Sequence, residues 1–152
     1  MQSAVTIDIT STVRRAPFAR NDLRVPFEEM ARKILQPQYE LSLVLCSNAL
    51  ARSLNRTYRK RDYIPNILSF PLAKNEGEIF LNVRKAEREA PYYNRVMVRG
   101  KRRMLSRIER RRMAEKHIAR LFVHGCLHLK GLKHGKHMDT AEKRILKDSK
   151  ML

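Results

Sequence analysis

The chain has 152 residues, of which 43% are hydrophobic, a length and composition that suit one folded domain around a single core. Its 33 Lys+Arg against 15 Asp+Glu leave a net charge of +18, a field that favours polyanions and makes RNA or DNA the first partner to expect. No apolar run approaches membrane-spanning length, MQSAVTIDITSTVRR lacks a secretory core, and Cys46 and Cys126 sit in apolar runs without a CxxC pair, which excludes a membrane span or a disulfide framework and favours a cytoplasmic protein with buried thiols.

In chain order, SAVTIDIT alternates and is β-branched, so it predicts a first strand over 3–10. Residues 22–36 place Leu23, Phe27, Met30, Ile34 and Leu35 on one helical stripe, with Asp22 as a cap and Pro37 as the stop. YELSLVLCS predicts a buried strand, and residues 48–62 an amphipathic helix carrying Leu50, Leu54 and Tyr58. NILSFPL predicts a short strand closed by Pro71, after which KNEG turns the chain into another strand, EIFLNV. Residues 87–103 are polar and basic, with no assignable element. There Tyr92 and Tyr93 are placed to stack on unpaired bases, although a packed loop explains them as well. A long helical pattern follows over 104–129, first charged and then apolar. Gly131 suits a left-handed cap for it, and Asp139 with Glu142 resembles a capping box that opens a last helix through Ile145. This order predicts a single α+β domain over 1–152, with helices packed on a small mixed sheet. Its candidate metal site lies on the buried helix near the C-terminus and the loop after it.

All five histidines fall between residues 117 and 137, and three of them lie in HGCLHLKGLKH. His124 and His128, four apart, point the same way on a helix, and Gly131 lets the chain fold back to bring His134 to the same ion. Three neutral nitrogens leave a fourth position for water, the arrangement of a catalytic rather than a structural zinc. Cys126 faces away, and His117 lies two turns earlier, roughly 10 Å along the axis. His137 remains an alternative to His134. The spacing also fits the zinc-peptidase pattern H-E-x-x-H-x-x-G-x-x-H, but Gly125 stands where that pattern requires the glutamate base, which disfavours a peptidase.

HGCLHLKGLKH, together with LNRTYRKRDYIPNILSFPL and GEIFLNV, resembles the YbeY family of bacterial ribosomal RNA maturation factors, single-strand-specific endoribonucleases. The likeness extends over nearly the whole chain. It implies one zinc per chain on His124, His128 and His134, with Arg59 as the catalytic-site arginine. It implies single-stranded or ribosomal RNA as substrate and small-subunit ribosomal proteins and assembly factors as partners. The chain departs from the family pattern at Lys133, where an aspartate is usual, at Glu78 for aspartate, and at Ile64-Pro65-Asn66. An aspartate before the last histidine could orient a metal ligand, a task no cation can perform. Apart from the resemblance, an acidified water next to a fixed guanidinium suits attack on a phosphodiester. The expected function is a zinc-dependent endoribonuclease in ribosomal RNA processing and small-subunit maturation. The alternative is a non-catalytic RNA-binding assembly factor whose zinc is structural.

Overall fold

The computed structural model describes residues 4–14, 23–90, 95–98 and 100–152. A four-stranded sheet is formed by β1 (Thr6–Ser11), β2 (Glu40–Cys46), β3 (Ile67–Ala73) and β4 (Glu76–Asn82), in the order β1-β2-β4-β3. The first three strands of that order run parallel, and β3 pairs antiparallel with β4 at the edge. Alternation decides which face is buried. Leu41, Leu43 and Leu45 of β2 lie beside Gly77, Ile79 and Leu81 of β4, all buried, with Ile7 and Ile9 of β1 packed alongside. The opposite face carries Asp8, Thr10, Ser42, Val44, Glu78 and Phe80, which stay exposed or half-buried.

Helices α1 (Phe27–Ile34) and α4 (Arg107–Leu129) cover the buried face, and α5 (Lys136–Asp148) packs against both. Met30, Ile34, Ile118, Phe122 and Val123 fill the layer between them, and Phe27 meets Phe122 edge-on at 4.9 Å. Each such side chain contributes about 1.5–3 kcal/mol when withdrawn from water, so the apolar half of α4 is the main anchor of the fold. Helix α2 (Asn48–Arg59) rests on the other face through Tyr58, which stacks edge-on against Phe70 and through it against Phe80. The α+β architecture and mixed sheet agree with the sequence expectation. Cys46 and Cys126 are fully buried, and burial pushes both thiols far up, the former to about 12.

Four expectations change. Helix α1 starts at Phe27, because Pro26 precedes it; Leu23 lies outside the helix, and the proposed cap, Asp22, lies outside the described residues. Strand β3 continues through Pro71 to Ala73, which an edge strand tolerates because the missing N–H would face outward. Val83, expected in the strand EIFLNV, instead opens α3 (Val83–Glu89), capped by the Asn82 side chain accepting from Lys85 N at 3.1 Å. This helix runs into the unassigned basic stretch, which also carries a two-stranded ribbon, β5 (Arg95–Val98) with β6 (Lys101–Met104). Tyr92 and Tyr93 lie outside the described residues. Finally, α5 begins at Lys136 after Gly135, so Asp139 and Glu142 lie within the helix and do not form its opening cap.

Candidate metal centre

Helix α4 is made for close approach to the sheet. A Cβ on Gly125 would stand 2.8 Å from both Ile67 Cδ1 and Ser69 Oγ and 3.2 Å from Ile79 Cδ1. One turn on, Leu129 lies where a Cβ on Gly77 would approach its methyls at 3.0 Å. With residue 125 against the strands, His124 and His128 are left on the flank of the helix, half-buried. The helix then ends in a Schellman turn. Gly131, at φ +101°, donates to the His128 carbonyl at 2.9 Å, and Leu132 donates to the Leu127 carbonyl at 3.0 Å. That reversal returns His134 to the same point.

The three side chains converge. Their ligating nitrogens all lie within 4.8 Å of one another, and the ring centroids are 4.6–5.0 Å apart. His124 Nε2 and His128 Nε2 stand 3.1 Å apart. The outer nitrogens explain the inner ones. His124 Nδ1 lies 3.2 Å from Glu142 Oε2, and His128 Nδ1 lies 3.1 Å from the Leu132 carbonyl. Since carboxylate and carbonyl only accept, both Nδ1 atoms must carry the proton, and both Nε2 atoms present lone pairs to the same point. Two such lone pairs repel unless a cation lies between them. A tetrahedral ion with bonds of about 2.0–2.1 Å would set ligand nitrogens about 3.3–3.4 Å apart, close to the separation seen. Burial, and then repulsion by His124, lower the pKa of His128 and favour its neutral, ligating form. The three residues therefore fit a metal ion.

Glu142 is a neighbour of the cluster that the sequence reading missed. It sits on α5, 18 residues from His124, and no local pattern links the two. It supplies to His124 the kind of carboxylate support expected next to His134, whereas Lys133 is exposed. His137 is exposed and outside the cluster, so among the described residues three donors meet. His117 is engaged elsewhere: its Nε2 lies 2.8 Å from Glu89 Oε2, and Glu89 also accepts from the Asn66 side chain.

Arg59 ends α2. Beyond it Lys60 turns left-handed, at φ 56°, and Arg61 N donates back to the Asn55 carbonyl at 3.3 Å. The turn brings Asp62 onto two arginines of the same helix, Arg56 at 2.6 and 3.0 Å and Arg52 at 3.0 Å. Those bonds hold the Asp62 carboxyl well below the usual carboxylate range. Arg59 is exposed and has no carboxylate partner among the described residues; its guanidinium donates to Tyr63 Oη at 3.4 Å. It makes no hydrogen bond to the histidines among the described residues, so the structure does not itself join Arg59 to the metal centre.

The family model of endoribonuclease YbeY matches residues 17–151. The chain belongs to the YbeY endoribonuclease family. It is 33% identical to the endoribonuclease YbeY of Aromatoleum aromaticum over 89% of this chain and 84% of that protein. The Neisseria gonorrhoeae relative is 37% identical over 76% and 66% of the two chains, and the Mycoplasma mycoides relative 28% identical over 86% and 80%. The fold is similar to that of TM1509 from Thermotoga maritima, with a TM-score of 0.61 at 22% identity, covering 95% of this chain and 89% of the other. Family membership assigns the chain to the nucleases that act on RNA. No helix among the described residues is long and apolar enough to cross a membrane.

Proposed function

We propose that this YbeY-family chain is a zinc-dependent, single-strand-specific endoribonuclease of the cytoplasm that acts in ribosomal RNA processing and small-subunit maturation, in contact with small-subunit proteins and assembly factors. The observation that carries the metal reading is the convergence of His124, His128 and His134, with the Nδ1 atoms of His124 and His128 engaged by acceptors and their Nε2 atoms facing each other. His124, His128 and His134 would hold one ion per chain. When bound, zinc supplies Lewis acidity that brings the pKa of water towards neutrality. The chain's own residues do the rest. Glu142 and the Leu132 carbonyl keep the ligand rings oriented. Arg59, with no carboxylate partner among the described residues, binds the phosphate that gains charge during attack.

Three converging donors support an open coordination position and hence catalysis over a structural zinc. The peptidase reading loses further ground, because residue 125 faces the sheet, where a glutamate could not reach the ion. The test is cleavage of matched single-stranded and duplex RNAs by protein stripped with a chelator and then given zinc. The proposal expects cutting of the single strand that vanishes on chelation and returns with zinc. Equal cutting before and after chelation would overturn metal dependence, and preference for the duplex would overturn strand specificity.

A further inference from the structure

Between residues 101 and 112 seven cations accompany one acid, Glu109. Lys101, Arg102, Arg103, Arg107, Arg110 and Arg112 are all exposed. Glu109 accepts from both terminal nitrogens of Arg103, at 3.0 and 2.7 Å, and from Ser106 N at 2.7 Å. The single acid of the segment thus fastens the second strand of the ribbon to the first turn of α4. Arg111 is exposed as well, and of these seven cations Arg103 and Arg111 are ion-paired among the described residues, to Glu109 and Glu115.

The fold does not account for this charge. Strands β5 and β6 pack chiefly against each other, and an isolated two-stranded ribbon is marginal in water. The arginines of α4 crowd its N-terminal half, whose first turn is the positive end of the helix dipole, where cations are disfavoured. A bound polyanion would reverse both penalties. The basic surface continues along the helix as a cleft whose lining includes Arg24, Arg112, Lys116 and Lys150, with one acid, Glu115, paired to Arg111. Arg110 and His124 share one helix, fourteen positions apart, which separates the surface from the metal centre by about 21 Å.

We propose that the β5–β6 ribbon and the first turns of α4 form a second RNA-binding surface, which grips the phosphate backbone flanking the bond to be cut without reading its sequence. The inference rests on the nuclease reading, because that reading makes RNA the polyanion. A remote phosphate contact strengthens binding to long RNA and leaves the chemical step alone.

The test compares three charge-matched pairs of substitutions: Lys101→Gln with Arg102→Gln in the ribbon, Arg107→Gln with Arg110→Gln in the helix, and Arg32→Gln with Lys74→Gln as a distant control. Binding is measured across salt concentrations in protein also carrying His124→Ala and His128→Ala, on single-stranded RNA of about 30 nucleotides, enough to span both sites at roughly 3.4 Å per stacked nucleotide. The ribbon and helix pairs should each shallow the log–log salt slope by about 1.4, at about 0.7 per lost phosphate contact, well beyond the control pair. With an intact metal centre, the same pairs should raise KM for the long RNA, leave kcat unchanged, and leave cleavage of a dinucleotide substrate unaltered. Binding no weaker than in the control pair overturns the proposal while wild-type cutting still supports the nuclease reading. Ribbon-dependent binding by a wild type that cuts no RNA overturns the nuclease reading and leaves the surface standing. Unchanged RNA binding with lost affinity for phosphatidylserine vesicles assigns the surface to a membrane and overturns the proposal.

Discussion

Glu142 offers a prediction that local sequence does not make. Its carboxylate lies 3.2 Å from His124 Nδ1, and its side chain is only 16% exposed, so the contact is partly shielded from water. Removing it frees the His124 ring to rotate and to place its proton on the nitrogen meant for the ion. Partners of metal-bound histidines are typically worth about 10–100-fold in metal affinity, or roughly 1.4–2.7 kcal/mol. Glu142→Ala should therefore weaken zinc binding by about 30-fold, the middle of that range. Glu142→Gln, which keeps an accepting oxygen without the charge, should fall between the two. Competition against a chromophoric chelator measures the affinity, and nitrogen shifts of His124 report the tautomer directly. An affinity for Glu142→Ala within twofold of wild type, with the His124 tautomer unchanged, would refute the reasoning.

Arg59→Ala should lower the rate at saturating RNA by roughly 100-fold or more with zinc content unchanged, and Arg59→Lys should recover it only in part, since a point charge cannot reproduce the planar fork; a wild-type saturated rate would reduce Arg59 to a surface cation. Gly125→Glu should create no peptidase and should destabilise the fold by about 3 kcal/mol or more, because the side chain meets Ile67 and Ser69 and buries a charge. A thermal midpoint within a few degrees of wild type would show that the helix can lift off the sheet. Glu109 should titrate at about 2 rather than its ordinary 4.5, mainly because Arg103 bonds to its charged form. Its folded pKa is depressed, so the support it gives the capping box is full above its unfolded pKa and is lost as pH falls through about 2. Carboxyl NMR should place the midpoint there and move it upward in Arg103→Gln; a wild-type midpoint near the ordinary value would contradict the Arg103 contact.

The histidine cluster was legible because its geometry is local. A four-residue interval fixes two rings on one helical flank, and Gly131 marks the reversal that brings back the third. The main strands were legible for a similar reason, since period-two alternation follows directly from burial on one face. What stayed hidden depended on distant partners or on weak patterning. Glu142 reaches His124 from another helix, and its spacing from Asp139 imitates a cap that Gly135 makes unnecessary. The cations of β6 bury no face, so the strand carries no alternation to read. Helix α3 is short and follows β4 without a loop, its start marked by the side chain of Asn82 alone. The split between Arg56 and Arg59 was invisible too, because the turn at Lys60 decides which arginine Asp62 neutralises.

The most direct measurement is the metal content of purified chain by elemental analysis, in wild type and in the His124→Ala, His128→Ala double variant, with single-strand RNA cleavage assayed on the same samples. The account predicts one zinc per wild-type chain, none in the variant, and cleavage that disappears with the metal. Full zinc content in the double variant would contradict it.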